Sequence, residues 1–520
     1  MSKLAPGGKV PGGLLRTKAS PKEWEGVLNS EIWIAEEKSE ILPALKLSYH
    51  YLPPELKQCF AYCAIFPKDY EVDKSELVYL WMAEGFLKQS QEERLMEELG
   101  NDYFDELLTR SFFQKSSANT SRFVMHDLIN DLAMCVSGYK CLRLDDMLKD
   151  NLRHKISEKV RHLSFISRQY ESYDRFSSVN SFQSLRTFLP LSNYGGSIFF
   201  LSQRVLRDVV PKLYCLRELS LSRYYIYELP SSIGDLRHLR YFNLSQTPLK
   251  WLPESVSTLC NLQVLILERC SGLSKLPARM DKLINLRHLN IADTSQLREM
   301  SEGIAQLTSL QTLSKLIVSK SSGLKINDLR DFSLLKGEIS IEELQHVVNV
   351  QEATDARLTN KSSLNKLGLI WSSTFDDSRN EILELDVLDA LKPHENLSSL
   401  QIKFYGGAKF PSWIGVQSFS MCSTLPTLGK LPLLKGLSVR GMDQVKVIGT
   451  EFYGNICDGE SLFPSLENLT FEDMSEWEEL HGLAPGAQCT VEIPKLRRFD
   501  IRRCPNWFRF QLFRFHLFVN

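Results

Sequence analysis

The 520-residue sequence lacks several features that would define whole classes of protein. It has no uncharged apolar run long enough to cross a bilayer, no apolar leader near its N-terminus, and no CxxC pair. Its eleven cysteines are odd in number and scattered, so we expect neither a disulfide framework nor a metal site. A net charge of −1 excludes the basic field that binding a nucleic-acid backbone requires. We therefore expect a cytoplasmic protein with no transmembrane segment and no nucleic-acid partner.

A repeat of 23 to 24 residues stands out in the rest of the sequence. The pattern L-x-x-L-x-L recurs with first members at Leu216, Leu239, Leu262 and Leu286, and a Leu-Pro step follows three of these units at the same spacing. The period lies within the range of about 20–29 residues that is typical of leucine-rich repeats. Further units begin at Val160, Leu185, Leu310, Leu397, Leu434, Leu466 and Leu496.

Each unit predicts one short strand. Its last two apolar residues alternate with polar ones, which turns one face of the strand inward, and neighbouring units stack their strands in parallel. The residue three positions after the last strand leucine, such as Thr247, Cys270 or Thr294, should turn inward and bond backbone amides or lie as a buried thiol. The segment from Gly337 to Asp389 is charged and helix-rich, and we interpret it as an interruption or as longer convex loops.

The strand side chains that do not point inward line the concave face of the repeats. Each of these residues taken alone is best explained as part of a solvated sheet face. Together they form the default surface on which such a repeat array recognises a protein partner. The candidate ligand surface consists of Glu218, Ser220, Tyr241, Asn243, Val264, Ile266, Glu268, His288 and Asn290.

Residues 41–150 show helical periodicity and one hairpin instead. Asp73 and Glu76 form a capping box that opens a third helix, and Gly85 ends it. A polar turn between Ser116 and Ser121 separates two short apolar segments and predicts a β-wing. Helices followed by a wing describe a winged-helix domain. Its third helix carries too many acidic residues to enter a DNA groove.

Three strings of residues resemble a known family. CFAYCAIFPKD at 59–69, LWMAEGF at 80–86 and MHD at 125–127 closely resemble the winged-helix domain of plant nucleotide-binding leucine-rich-repeat disease-resistance proteins, coiled-coil subclass. VRHLSF at 160–165 resembles the entry into their repeats. The resemblance covers nearly the whole chain. It implies an α/β fold in which a leucine-rich-repeat solenoid, or horseshoe, is preceded by a mainly helical winged-helix domain.

The resemblance also implies a division of the chain and a role in plant defense. Residues 1–40 would be a remnant of the helical part of a nucleotide-binding (NB-ARC) module, 41–150 the winged helix, and 151–520 the repeats. In this family an ADP/ATP switch controls an intracellular receptor of innate immunity. Its repeats would recognise a pathogen effector or a guarded host protein, and would dock intramolecularly on the winged helix. We expect no enzymatic activity and no catalytic residue.

Within the resemblance, Met125, His126 and Asp127 correspond to the family's cofactor-binding motif, whose histidine contacts the ADP phosphate. A histidine before a helix without that motif would be a cap or core residue. The switch also needs a P-loop, and Gly7-Gly8-Lys9-Val10 lacks the serine or threonine that should follow the lysine. We therefore expect an N-terminally truncated receptor that binds no nucleotide tightly unless the P-loop is supplied.

Two other functions stay open. The chain could be a decoy or pseudogene-type repeat protein that acts only by binding. It could also be a substrate-receptor adaptor of a ubiquitin ligase, although residues 1–40 are short and polar for an F-box-like segment.

Overall fold

The structure is a computed structural model, and the two compact units of the chain, Met1–Cys270 and Ser271–Asn520, are described separately. The predicted remnant at residues 1–40 lies outside the described residues. Those residues are 43–88, 94–147, 157–192, 198–374, 379–407, 411, 413, 433–441, 447–448, 465–475, 477–480, 495–506 and 509–510.

The described part of the first unit begins with five α-helices and a wing. The wing is an antiparallel pair in which Gln114 lies opposite Val124. This arrangement confirms the predicted winged-helix domain. The bounds are α1 (Pro43–His50), α2 (Pro54–Tyr62), α3 (Lys74–Glu84), α4 (Met96–Thr109), β1 (Gln114–Lys115), β2 (Phe123–Val124) and α5 (Asp127–Ser137).

Local signals set the ends of helix α3 as predicted. The Asp73 carboxylate accepts the backbone N–H of Glu76 at 3.0 Å, and Gly85 ends the helix in the left-handed region at φ 80°. Cys59 and Cys63 on and just after α2 are fully buried, and burial raises the pKa of both thiols. They are core residues, as the surrounding apolar run predicts.

The repeats of the first unit form a parallel sheet in the strand order β10-β9-β8-β6-β4-β3. Its first strand pairs Cys141 with His162, so the sheet starts inside the range predicted for the winged helix. The remaining bounds of this unit are β3 (Cys141–Arg143), α6 (Leu144–Met147), β4 (His162–Ile166), β5 (Tyr170–Glu171), α7 (Tyr173–Phe176), β6 (Thr187–Leu191), β7 (Phe200–Leu201), β8 (Glu218–Ser220), β9 (Tyr241–Asn243) and β10 (Val264–Ile266).

The second unit contains parallel strands throughout its described part. A seven-stranded sheet runs in the order β13-β14-β15-β16-β17-β19-β21, beside a β11-β12 pair and the small sheet β18-β20-β22. The bounds are β11 (His288–Asn290), β12 (Thr312–Leu313), β13 (Lys315–Ile317), β14 (Gly337–Glu342), α8 (Val350–Asp355), β15 (Leu364–Ile370), α9 (Glu381–Ala390), β16 (Ser399–Lys403), β17 (Gly436–Arg440), β18 (Val447–Ile448), β19 (Asn468–Glu472), β20 (Glu479–Leu480), β21 (Arg498–Arg502) and β22 (Arg509–Phe510).

Of the two interpretations of residues 337–389, the interruption is wrong, whereas longer connections between the strands agree with the structure. Strands β14 and β15 lie in this segment and pair with each other and with the strands on either side. Leu364, Leu367 and Leu369 fit the L-x-x-L-x-L pattern and are buried, so the signal was present in the sequence. The predicted helical character belongs to α8 and α9, which precede and follow β15.

A left-handed backbone conformation recurs after the strands. It occurs two residues after the last inward side chain of each strand, and for a non-glycine residue this conformation costs roughly 1 kcal/mol. A hydrogen bond to the next repeat accompanies it, as where Arg223 N donates to Ser245 O at 2.8 Å. The residues in this conformation are Arg223, Gln246, Arg269, Asp293, Glu343, Phe404, Gly441, Asp473 and Arg503.

The residue that follows each left-handed residue is the one predicted to turn inward. Thr247, Cys270 and Thr294 are buried as predicted, but the two threonines make other hydrogen bonds than expected. Thr294 Oγ1 donates to the carbonyl oxygen of Ile291 at 2.7 Å, and Thr247 Oγ1 donates to that of Leu244 at 2.9 Å. The expectation that these side chains bond backbone amides is therefore wrong. A hydroxyl can donate its proton, and the carbonyls at the end of each short strand need a donor.

The Thr294→Val substitution should test this role. It keeps the shape of the side chain but removes the donor to a buried carbonyl, so we expect a loss of about 1–2 kcal/mol in the free energy of unfolding. The Thr308→Val variant changes the same atoms at an exposed position and should have little effect. Denaturant melts of the three proteins provide the measurement, and equal losses in both variants would contradict the assignment.

Candidate functional site

The first unit buries a charged contact between its winged helix and its repeats. Glu84, the last residue of helix α3, is 2% exposed. Its Oε2 atom lies 3.7 Å from Nη1 of Arg186 and 3.7 Å from Nη1 of Arg217. These arginines immediately precede strands β6 and β8. A carboxylate on the winged helix therefore faces a column of guanidinium groups on the repeats.

Arg217 and a further arginine, Arg240, which precedes strand β9, also bind the end of helix α3. Arg217 Nη1 donates to the carbonyl oxygen of Glu84, and Arg240 Nη1 donates to that of Ala83 at 3.4 Å. The last carbonyls of a helix lack partners within the helix and carry the negative end of its dipole. Cations from consecutive repeats thus satisfy the terminus that the winged helix presents to them.

A second carboxylate lies beside the first. Glu218 on β8 is fully buried, and its Oε2 atom accepts hydrogen bonds from the Tyr62 hydroxyl and from Thr187 Oγ1 at 2.7 Å. Nδ1 of His162 lies 2.9 Å from Thr187 Oγ1 and 3.7 Å from Oε1 of Glu84. The five side chains form a single polar cluster, which we call the latch cluster together with Arg186 and Arg217.

Burial controls the protonation of the latch cluster. It raises the pKa of Glu84, although Arg217 and Arg186 oppose the shift, and it raises the pKa of Glu218, with a further increase from the charge of Glu84. Burial and the nearby Arg186 lower the pKa of His162 to about 3, so this histidine is neutral. Two carboxylates held this close in a dry site resist ionising together.

Apolar packing surrounds the latch cluster. Tyr241, Val264, Leu189 and Leu191 from the repeats join the hydrophobic core of the winged helix. Ser164 Oγ on β4 also donates to the carbonyl oxygen of Ile65, which follows α2. The winged helix and the first repeats therefore share one core.

This contact corrects the predicted ligand surface. Glu218, Ser220, Tyr241, Asn243 and Val264 lie on the strands as predicted, but all five are buried. The expectation that they line an open face is wrong, because the winged helix packs on these strands.

The other predicted surface residues differ from one another. Ile266 and Glu268 at the end of the first unit are partly exposed. In the second unit His288 is buried, with its Nδ1 atom 3.0 Å from Thr312 Oγ1, and Asn290 is partly exposed. Of the predicted surface, Ile266, Glu268 and Asn290 are thus the residues that stay partly exposed.

The predicted nucleotide motif lies at the start of helix α5. Met125 is buried in the winged-helix core, whereas His126 and Asp127 are exposed. His126 is the N-cap, and its Nδ1 atom accepts the backbone N–H of Leu128 at 3.4 Å. That bond assigns the proton of the neutral imidazole to Nε2.

The described residues contain neither a candidate metal site nor a membrane-spanning helix. Within them, no three His, Cys, Asp or Glu side chains lie close enough together to hold a metal ion. No helix in the described ranges is both long and apolar enough to cross a lipid bilayer.

Sequence reasoning missed the arginines of the latch cluster. In the first unit an arginine precedes four of the strands, at Arg161, Arg186, Arg217 and Arg240, always at the second position of the repeat pattern. This column was a readable signal, because a periodic cation on one face predicts a basic stripe. The partner of this column, Glu84, is one of the acidic residues of the third helix that argue against DNA binding. No local pattern shows that the two meet.

Comparison with known proteins agrees with this architecture. Residues 65–133 match the disease resistance protein winged helix domain, and residues 326–442 match the R13L1/DRL21 leucine-rich repeats. The chain is 39% identical over 521 residues to the disease resistance RPP13-like protein 1 of Arabidopsis thaliana, covering 96% of this chain and 48% of that one. It is 34% identical over 515 residues to the disease resistance protein RGA2 of Solanum bulbocastanum, covering 96% and 49%.

A winged helix followed by leucine-rich repeats, with relatives of this kind along most of its length, defines the class. The chain belongs to the plant disease-resistance proteins with leucine-rich repeats. It spans about half the length of these two relatives.

His162 should make the stability of the first unit depend on pH. Its pKa in the folded protein, about 3, lies below its ordinary value of 6.5, so its contribution is complete above pH 6.5 and is lost as the pH falls. The His162→Gln variant has no imidazole to protonate, so it should not lose this part of the free energy of unfolding as the pH falls. Between pH 6.5 and 5 the variant should gain up to about 1.4 kcal/mol per pH unit relative to the parent.

The raised pKa values of Glu84 and Glu218 act in the opposite direction. Their contribution is complete below the ordinary value of 4.5 and is lost as the pH rises through the folded-state values. Comparing variant and parent at each pH cancels this effect as long as the carboxylates titrate alike in both. Denaturant melts at several pH values provide the measurement, with His238→Gln, an exposed histidine, as the control. A constant difference between His162→Gln and the parent would contradict the prediction.

Proposed function

We propose that this chain is the sensing part of an intracellular plant immune receptor. Its repeats recognise a pathogen effector or a guarded host protein, and its winged helix belongs to the switch that reports the event. The observation that carries the proposal is the contact of helix α3 with strands β6, β8 and β9. The latch cluster contributes Arg186 and Arg217 to this contact, and Arg240 adds a bond to the helix end.

The electrostatics of the latch cluster support a reversible contact. Removing Glu84 from water is expensive, whereas Arg186 and Arg217 stay partly exposed, and the separations of 3.7 Å return only part of that cost. Among the described residues, Glu84 Oε2 and Glu218 Oε1 have no hydrogen-bond donor. The polar part of the contact is therefore specific in geometry without adding strongly to its stability, which suits a surface that must separate.

Recognition would be coupled to this contact through shared strands. Ile266 packs against the common core and is still partly exposed, and Glu268 lies two residues further along. A partner that binds these residues better when the winged helix has left would shift the equilibrium toward release. In this proposal the chain acts by binding and does not catalyse a reaction.

A protein partner is favoured over DNA. In a winged helix that reads DNA, the third helix would enter the groove, but here the end of α3 is bound by the repeats. The same helix carries Glu76 and Glu84. Both facts support a role for the winged helix as an internal partner of the repeats.

The residues at the start of α5 fit a nucleotide phosphate only through His126. Its Nε2–H is exposed at a helix N-terminus, where anions are favoured. Met125 lies in the core, and the negative charge of Asp127 would repel a phosphate. We propose that His126 donates to an ADP phosphate once the remaining parts of a nucleotide site are supplied. Bound ADP would supply the anion that this imidazole holds in the resting state.

The Arg217→Ala variant should weaken the contact between helix α3 and the repeats. It removes the donor to the end of α3 and one counter-charge of buried Glu84, so amide hydrogens in α3 and α4 should exchange at least tenfold faster. Expressed in leaf tissue within a complete receptor, the same change should produce a defence response without a pathogen.

The matched control is Arg237→Ala, which removes an exposed arginine from the same repeat. It should leave both exchange and response unchanged. If exchange in α3 is equal in Arg217→Ala and in the parent, the latch cluster does not hold the winged helix.

Two variants of His126 separate its capping role from a phosphate contact. Asparagine is a good N-cap and alanine is not, so only His126→Ala should lose about 1 kcal/mol of stability. Both His126→Ala and His126→Asn should bind ADP about tenfold more weakly than the parent, because both lose the imidazole donor.

Calorimetric titration with ADP, on the chain within a receptor that supplies the remaining parts of the nucleotide site, provides the measurement, and His238→Ala serves as the control. Unchanged ADP affinity in both His126 variants would remove His126 from the proposed site. Absence of measurable ADP binding to the parent would remove the nucleotide from this chain.

A further inference from the structure

Large apolar side chains are exposed side by side on successive repeats of the first unit. Tyr170 is 71% exposed and Tyr227 is 44% exposed. We call Tyr170, Phe200, Tyr225 and Tyr227 the aromatic row. Ile198 and Trp251, also exposed, flank it.

Strand alternation puts these rings outside. β5 and β7 pair in parallel with Tyr170 opposite Phe200, and Tyr225 N donates to Phe199 O at 2.7 Å. Side chains alternate between the two faces of such a sheet. Phe199 and Tyr224 therefore point inward and are buried, whereas Phe200 and Tyr225 point outward.

The rings follow one another at nearly constant spacing. The centroid distances are 5.3 Å from Tyr170 to Phe200, 5.3 Å from Phe200 to Tyr225 and 5.0 Å from Tyr225 to Tyr227. The Tyr227 hydroxyl donates to that of Tyr225 at 2.7 Å. At the far end, Nζ of Lys250 lies 5.8 Å from the centroid of the Tyr227 ring.

Stabilising a sheet does not require this arrangement. Cross-strand aromatic pairs do contribute to sheet stability, but the buried Phe199 and Tyr224 already make one here, with centroids 6.0 Å apart. A contiguous exposed apolar patch on a folded protein usually marks a binding surface.

The dimensions of the aromatic row select the kind of partner. A stable dimer needs roughly 20–30 residues on each side, whereas the row and its flanks offer six. An amphipathic helix buries a broad apolar stripe, whereas this row is a single file of rings. Lys250 alone does not make the basic track that a nucleic-acid strand requires.

An extended proline-rich segment fits these features. Proline rings pack against aromatic rows, and the polyproline II backbone makes no internal hydrogen bonds, so its carbonyls can accept from tyrosine hydroxyls. We propose that the aromatic row binds a proline-rich segment of another protein, with an acidic residue of that segment beside Lys250. This site is separate from the concave face and goes beyond the proposed function.

Fluorescence polarisation tests the proposal with a labelled peptide of nine prolines that carries one glutamate at its end. The full chain should bind this peptide and not a glycine-serine peptide of equal length and charge. The double variant Phe200→Thr/Tyr225→Thr should bind at least tenfold more weakly, because two rings are lost while β-branched residues keep the strands. Tyr214→Thr, an exposed tyrosine outside the row, should bind normally.

A charge swap tests the orientation. Lys250→Glu should weaken binding of the glutamate peptide about fivefold and should improve binding of a peptide with lysine in its place. Equal binding by the double variant and the parent, or no binding by the parent, would overturn the proposal. Tighter binding of a thymine oligonucleotide, or a concentration-dependent dimer abolished by the double variant, would overturn it in favour of those partners.

Discussion

The buried carboxylate of Glu84 is the constraint on which the first unit depends. It ends helix α3, and within a few ångströms it meets arginines that precede two different strands of the repeats. A charge cannot be taken out of water at this depth unless opposite charges and hydrogen bonds surround it. The position of the winged helix on the repeats is thereby restricted to one in which Glu84 and the ends of the strands coincide.

The same constraint supports the proposal that this contact acts as a switch. Apolar residues of both parts form a common core around the latch cluster, and the latch cluster is the part of the contact that responds to the charge of each member. Glu218 and Tyr62, which lie 156 positions apart in the chain, share one hydrogen bond in this cluster. Any event that moves one strand changes the surroundings of several ionisable groups at once. The strands β8 and β9 are thus covered by the protein's own winged helix. In the two proposals, recognition of another protein is assigned instead to residues such as Glu268 and, separately, to the aromatic row.

Much of the fold could be predicted because its rules are local. The inward leucines recur at a fixed period, and Leu216, Leu239, Leu262 and Leu286 are all fully buried. The caps of α3 depend on neighbours within four residues, so Asp73 and Gly85 were sufficient to place its ends. Strand β14 was missed because its leucine at 335 lies one position outside the pattern, and β15 because its surroundings are charged. The inward turns after the strands were predicted. That the threonine hydroxyls there donate to carbonyl oxygens was not, because it depends on which carbonyls at the strand ends lack a donor.

The sequence by itself determined the repeat, its register, the winged helix and the family, since each depends on spacing or on short strings of residues. The tertiary structure alone decided which of those residues can be reached. Glu218 and Tyr241 occupy positions equivalent to those of exposed residues in other repeats, and only the helix packed over them makes them core. Burial depends on what lies across from a side chain, and a partner more than a hundred residues away leaves no trace in the local pattern.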